Sequence, residues 1–301
     1  MCGAKRSRRR RPLGVLLALL VACAGCSAGD GCEPAAPVAV LAAMPSELTP
    51  LLDRATVDEV RVIDGRAFHL GTLGGVPVVL AMTGIGIVNA TATTAQLLDA
   101  FAVRGVVFSG VAGSPHRIAD VTVPLVWSLP PDGAPLPADP EWLALARAVA
   151  ATDAVALEHC TPVPPDAADA ELVCMPFAPA IVVGGRGESS DPYRGAPILC
   201  RPGGGDVFGC DPALASAAAS DDEVTVDMET AASAREAAAR GLRFVAFRAV
   251  SDGTADPLGL PGFPSQFFAY YRLAAENAAI ATGAFLEALS AAEAADAPGC
   301  S

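Results

Sequence analysis

Short apolar runs alternate along this chain with longer segments in which apolar residues recur every three or four positions. Pro37 to Ala43 is a continuous apolar run, the pattern of a strand covered on both faces. Met44-Pro45-Ser46-Glu47 follows, then a short helical stretch to Leu52. Ala67 to Leu73 and Val76 to Met82 are β-like, and Gly74-Gly75 between them signals a hairpin. Thr83-Gly84-Ile85-Gly86 is a glycine turn that opens a helix from about Val88 to Phe101. Gly105 to Ser109 is another apolar strand, running into Gly110-Val111-Ala112-Gly113. Val121 to Trp127 predicts a strand and Glu141 to Ala151 a helix, with a proline-rich loop over 129–139. Residues 160–178 and 185–210, rich in Pro, Gly, Asp and Cys, read as extended loops around one strand, Ala180 to Gly184. Val224 to Val226 is a strand end, Met228 to Arg240 a helix, and Arg243 to Val250 a buried strand. Phe263 to Leu289 is a long amphipathic helix or a pair of helices. Alternating strands and helices predict an α/β fold, a three-layer α/β/α single domain with a mixed central sheet.

Composition agrees. With 301 residues, 52% of them hydrophobic, and a mean hydropathy of +0.43, the chain can bury a sizeable core. Aromatics make up only 5%, so Ala, Val and Leu must do the packing.

The amino terminus stands apart from the fold. Lys5, Arg6 and Arg8 to Arg11 form a basic region ahead of the apolar stretch Leu13 to Ala22, which is too short to span a bilayer as a mature helix. Leu20-Val21-Ala22-Cys23 resembles a bacterial lipoprotein signal, with Cys23 as the lipidated residue and Cys26 as the alternative. We therefore expect a signal peptide over 1–22, a tether over 23–36, the folded domain over 37–290 with a divergent, loop-rich, Cys-containing part at 129–222, and a tail over 291–301. The expected location is the bacterial cell envelope, on the periplasmic or extracellular side, with the membrane met only through the lipid. Removing six positive charges and no acids from a chain of net charge −13 leaves −19, which argues against a nucleic-acid partner.

After a cut at Cys23, Cys26, Cys32, Cys160, Cys174, Cys200, Cys210 and Cys300 remain. No metal-spaced Cys pair or His cluster accompanies them, so no metal site is expected. Cys160 with Cys174 and Cys200 with Cys210 are close enough in sequence to close loops, and Cys32 with Cys300 would tie the termini together. A cut at Cys26 instead leaves six, an even number.

Four strand ends carry residues with chemical potential: Glu47, the Gly84/Gly86 turn, Asp227-Met228-Glu229 and Ser251-Asp252. In open α/β sheets ligands bind at such ends. Asp252 is either a turn cap ahead of Gly253 or a general acid whose pKa is raised by burial. Glu47 reads equally as a solvated helix residue, and Glu229 as a favourable charge in a first helical turn. Gly84 and Gly86 do not complete a dinucleotide fingerprint.

Taken in order, these segments resemble the 5′-methylthioadenosine/S-adenosylhomocysteine nucleosidases of the purine nucleoside phosphorylase/uridine phosphorylase superfamily. The resemblance is carried by Ala43-Met44-Pro45-Ser46-Glu47, Thr83 to Ala90, Ser109 to Gly113, Val226 to Ala232 and Phe247 to Asp252. It implies a phosphorylase/hydrolase-like domain in which Asp252 protonates a leaving base, Glu47 activates water and Arg248 assists. Glu229 would bind the ribose hydroxyls, Met228 would pack on the sugar, and Ser251 would orient Asp252. Asp227, Gly84, Ala112 and Gly113 would complete the substrate site. The implied ligand is a small-molecule nucleoside, bound without metal or organic cofactor by a homo-oligomer. The chain departs from the family where Gly184 to Glu188 supplies no aromatic residue, where Val111 replaces a small polar residue, and where Asp227 replaces Glu. Phe263, Phe267 or Phe268 could enter a pocket instead, or simply pack the last helix.

Phosphorylases of this kind carry an arginine-containing phosphate loop after the first strand, and this chain has Glu47 there with no Arg. An acid repels phosphate and suits water, which favours hydrolysis over phosphorolysis. A catalytically inactive nucleoside-binding lipoprotein is the other alternative.

Overall fold

The computed structural model describes residues 35–130, 133–152, 154–165, 167–190 and 224–296, and the described part of 34–301 is one compact unit. The signal peptide, most of the tether, Cys23, Cys26 and the pairings Cys200–Cys210 and Cys32–Cys300 lie outside the described residues.

In chain order the elements are β1 (Val38–Ala42), α1 (Pro45–Leu52), β2 (Thr56–Ile63), β3 (Arg66–Leu73), β4 (Val76–Met82), α2 (Ile87–Ala100) and β5 (Gly105–Arg117). Then come β6 (Val121–Val123), β7 (Val126–Ser128), β8 (Leu136–Pro137), α3 (Pro140–Ala150), β9 (Cys160–Val163), β10 (Glu171–Cys174), β11 (Ile181–Val183) and β12 (Arg186–Ser189). The chain closes with β13 (Val224–Asp227), α4 (Thr230–Ala239), β14 (Arg243–Thr254) and α5 (Gly262–Asp296).

One mixed sheet dominates, with the order β2-β3-β4-β1-β5-β13-β12-β7-β8; β14 joins β5 and β6, and β6 joins β11. β1 lies parallel between β4 and β5, and all five of its residues are buried. That explains its unbroken apolar run, because a parallel strand is covered on both faces. α5 packs on β14, β5, α1 and α3, while α2 packs on α4, which itself lies against β14 and β5. The expected three-layer α/β/α arrangement is therefore present.

Most predicted elements appear within a residue or two. Gly74 and Gly75 both take positive φ (58° and 77°), as a two-residue hairpin turn demands. The differences are instructive. Val121 to Trp127 is two strands, because Pro124 lacks the N–H a ladder needs, and β6 and β7 pair with different neighbours. β5 and β14 run on past Ser109 and Val250. α5 extends to Asp296, so the expected domain end at 290 falls inside a helix, and Phe263 at its start is not helical (ψ 139°). Within 160–178, β9 and β10 form an antiparallel hairpin closed by the Cys160–Cys174 disulfide.

Candidate active site

β5 and β14 are the longest parallel pair in the sheet, in register from Gly105/Arg243 to Ala112/Val250. Their carboxyl ends carry the candidate chemistry, joined by the first turn of α1, the start of α2 and the β13–α4 junction. Three segments, α1, the β13–α4 junction and β14, thus deliver Glu47, Asp227, Glu229, Arg248 and Asp252, and β5 and the start of α2 supply backbone around them.

Arg248 is the hub. It is only 2% exposed, although its side chain is a permanent cation. Its Nη2 donates to the Val111 carbonyl and, at 3.4 Å, to Glu229 Oε2. Its Nε lies 3.2 Å from Asp227 Oδ2, a charge contact without hydrogen-bond geometry. The guanidinium also sits 5.1 Å from the centre of the Phe108 ring. Burial alone would lower the pKa of Arg248, but Asp227, Glu47 and Glu229 outweigh it and keep the cation charged. Nη1 has no hydrogen-bond partner among the described residues. It lies 2.7 Å from where a Cβ on Gly110 would stand, and Glu47 Oε1 reaches the same point. Gly110 is therefore the gap across which Glu47 and Arg248 face each other, and any side chain there would fill it.

Glu47 is 1% exposed. Its Oε2 accepts from the N–H groups of Ala43 (2.6 Å) and Met44 (3.1 Å), and its Oε1 accepts from Val111 N–H (2.8 Å). Those first two donors lead into α1, so the carboxylate caps its own helix. Burial pushes its pKa up, while Arg248 and the three N–H groups pull it back without cancelling the rise.

Glu229 is held by Gly86 N–H at 2.8 Å, a contact from the same glycine turn that carries Gly84. Gly84 (φ 83°) shapes the turn, with Asn89 against its α-carbon. Burial, together with Asp227 and Glu47, raises the pKa of Glu229 to about 8 against the opposing pull of Arg248. Three buried acids around one buried cation thus keep a proton near neutrality.

Asp227 supports this cluster from behind. Its Oδ1 accepts from Ser189 Oγ and from the N–H groups of Glu229 and Thr230 (both 3.2 Å), and its Oδ2 accepts from Thr230 Oγ1. These bonds cap α4 and, with the Arg248 contact, occupy both oxygens. Asp227 is thus tied within the fold to α4, Ser189 and Arg248. Met228 is half-buried between the two acids.

Asp252 is built differently. It sits where the β14 ladder slips, with register shifts on either side. Ser251 Oγ lies 2.7 Å from its Oδ1 and 3.3 Å from the Ala112 carbonyl oxygen. A Cβ on Gly113 would come within 2.5 Å of Asp252 Oδ2, so only glycine leaves that oxygen room. Burial raises the pKa of Asp252, and the Ser251 hydrogen bond offsets part of the rise.

Sequence reading missed Gly110 and Ser189. Gly110 stood inside a quoted motif without a stated role. Ser189 gave no signal, lying in a segment read as loop. Of the three phenylalanines, Phe263 is 43% exposed, while Phe267 packs against the core and stacks on Tyr271 with ring centres 5.6 Å apart. A cleft of about 730 Å³ lined by Leu73, Ala148, Val149, Ile280 and Ala284 contains none of the cluster residues. Chemistry, and not cleft size, locates the site. His159, Cys160 and Cys174 form a group with metal-ligand atom types, but the disulfide takes both thiols.

Fold and site together define an α/β protein that gathers unlike carboxyl groups and one arginine at the carboxyl ends of a mixed sheet. A family model for the phosphorylase superfamily matches residues 37–287. The chain belongs to the phosphorylase superfamily. An uncharacterized protein of Mycobacterium tuberculosis is 36% identical over 195 residues, 58% of this chain and 76% of that protein. An aminodeoxyfutalosine nucleosidase of Helicobacter pylori is 40% identical over 78 residues, 26% of this chain and 34% of that enzyme. Among solved structures, the 5′-methylthioadenosine/S-adenosylhomocysteine nucleosidase of Colwellia psychrerythraea in complex with adenine has the same fold, with TM-score 0.60, 22% identity, and 85% of this chain and 96% of that one covered. The futalosine hydrolase of Helicobacter pylori is similar at TM-score 0.59, 21% identity, and 84% and 97% coverage.

Proposed function

We propose that this protein hydrolyses the N-glycosidic bond of a purine nucleoside, of the 5′-methylthioadenosine or S-adenosylhomocysteine kind, to free base and sugar. One observation carries the reading: two unlike carboxyl groups lean on the same stretch of β5, Asp252 with no cation paired with it among the described residues and Glu47 facing Arg248 across Gly110. The nucleosidase names among the relatives and structural neighbours support it.

Cleavage passes through a cationic sugar. Asp252 gives its proton to a nitrogen of the base as the C1′–N bond breaks, a task suited to a carboxyl whose pKa is raised by burial. Ser251 orients it. Glu47, with the free Nη1 of Arg248, holds a water and takes its proton as oxygen bonds to C1′. Glu229 receives the ribose hydroxyls, Met228 packs on the sugar, and the carboxyl groups favour the developing positive charge. Ala112 and Gly113 lie beside Ser251 and Asp252 and would border the substrate with Met228.

Water is favoured over phosphate for a specific reason. The N–H groups of Ala43, Met44 and Val111, which an anion would use, are taken by Glu47. The amino terminus supports secretion and lipid anchoring through Cys23, or Cys26, which points to salvage of nucleosides met outside the cytoplasm.

The test is base release from a panel of purine and pyrimidine nucleosides, with and without phosphate. Release without phosphate is expected. Release only with phosphate would make the protein a phosphorylase. Binding of a nucleoside with no release from any would make it a binding protein.

A further inference from the structure

The peptide that follows Asp252 is anchored by a side chain from a different layer of the fold. β14 slips register on both sides of Asp252, so Gly253 falls between two paired positions. An irregularity of this kind leaves a backbone N–H outside the ladder. Gly253 has no space to turn: a Cβ there would meet the backbone oxygens of His116 and Ser114 and the Val250 side chain. Its N–H donates instead to Gln266 Oε1 of α5, at 2.9 Å.

Gln266 is itself held on its other side. It is 5% exposed, and its Nε2 donates to the Leu260 carbonyl (3.2 Å) and to Asp256 Oδ2 (3.3 Å). Two acceptors for Nε2 fix which end of the amide faces Gly253. Asp256 in turn accepts from Leu258 N–H (2.9 Å), Leu260 N–H (2.7 Å) and the hydroxyl of the buried Tyr270. Tyr270 belongs to a small apolar cluster with Ile118, Met175 and Leu273, against which Val163 and Val173 of the disulfide-closed hairpin pack. A continuous chain of contacts thus runs from a packed cluster, through Tyr270, Asp256 and Gln266, to the peptide beside Asp252.

We propose that Gln266 is a positioning residue for Asp252, holding the carboxyl at its station through Gly253 N–H, with Asp256 and Tyr270 locking the amide in place. The inference rests on Asp252 being the acid of a nucleosidase. The structure assigns no substrate contact to Gln266; its effect passes through the backbone. The ionisable groups around this turn are Asp252, Asp256 and Tyr270, with His116 and Arg117 on β5, the last paired with Asp120. Burial, reinforced by Asp256, raises the pKa of Tyr270, so its hydroxyl stays a donor throughout the working range.

The test uses the mature chain carrying Gln266→Met, which keeps length and burial but removes both polar ends, and Tyr270→Phe, which removes only the far lock. Two readouts are taken. The first is kcat and KM for the nucleoside the parent cleaves. The second is NMR, following amide exchange at Gly253 and the carboxyl titration of Asp252. Gln266→Met is expected to lower kcat about 10- to 100-fold with KM near the parent value, because a small misplacement of a reacting group costs on that order. It is also expected to speed exchange at Gly253 and displace the Asp252 titration. Tyr270→Phe should move all readouts the same way by less. Unchanged kcat in a folded Gln266→Met protein, or a change confined to KM, would overturn the assignment. If the parent cleaves no nucleoside, the nucleosidase reading fails by itself. The NMR readouts then decide: a Gly253 exchange rate and an Asp252 titration equal to those of the parent would overturn the clamp, and displaced values would uphold it. Should Gln266→Met not fold, the Tyr270→Phe protein decides by the same readouts.

Discussion

Arg248, at the centre of its cluster, and Asp252 lie on the same strand, β14, yet the two regions surround buried carboxyl groups differently. Around Arg248, three acids share one cation, backbone N–H groups fill their remaining sites, and a glycine gap separates Glu47 from the guanidinium. At Asp252 there is one acid, one hydroxyl and, among the described residues, no cation paired with it. In the first arrangement burial raises the pKa of Glu47, and that of Glu229 to about 8, against the opposing pull of Arg248. In the second, burial raises the pKa of Asp252 and the Ser251 hydrogen bond is what opposes the rise. On the proposed function, these unlike surroundings set Glu47 to the side of the water and Asp252 to the side of the leaving base.

The sharpest way to break this contrast is Asp252→Asn. Turnover should fall about 100- to 10,000-fold, the range of a lost general acid, while nucleoside binding by calorimetry persists. Arg248→Met attacks the other region. Removing the one cation among three buried acids should cost about 3–5 kcal/mol in denaturant unfolding, because uncompensated buried charge is left behind. A value near zero would mean that the cluster does not depend on its cation. Gly110→Ala fills the gap between Glu47 and Arg248, with a Cβ pressed against Glu47 Oε1 and Arg248 Nη1. It should cost about 1–3 kcal/mol and reduce kcat, with the Asp252 titration unmoved. A further handle is the pH dependence of stability. Glu229 has a pKa of about 8 in the folded protein against 4.5 as its ordinary value, so the native state keeps a proton that the unfolded chain releases. Stability therefore falls as pH rises from about 4.5 to about 8, and Glu229→Gln should flatten the fall in thermal midpoint across that window.

What could be read from the chain follows from burial. β1 and β14 were legible because strands covered on both faces are continuously apolar, and the Gly74-Gly75 turn because its geometry requires glycine. β2 left no such trace. It is the sheet edge, exposed over nearly its whole length, so its residues answer to no core. β12 was read as loop because Arg186-Gly187-Glu188-Ser189 carries no apolar pattern. It is a strand because β13 and β7 flank it and Gly187 leaves space for the Trp127 ring. Glu47, Arg248, Glu229, Ser251 and Asp252 were legible as motif residues at strand ends, and the fold brings them together. The role of Asp227 was not legible. Whether an acid meets substrate or caps a helix depends on neighbours such as Ser189, which lies 38 residues earlier in the chain. Gln266 was hidden for the same reason: its partner is a peptide N–H exposed by a register slip that periodicity cannot reveal.

The most direct measurement is to cleave a nucleoside in isotopically labelled water, with and without phosphate, and weigh the sugar released. The account predicts free sugar carrying one oxygen from water at the anomeric carbon, at a rate phosphate does not change. Unlabelled sugar phosphate formed only when phosphate is present would contradict it, and with it the reading of Glu47.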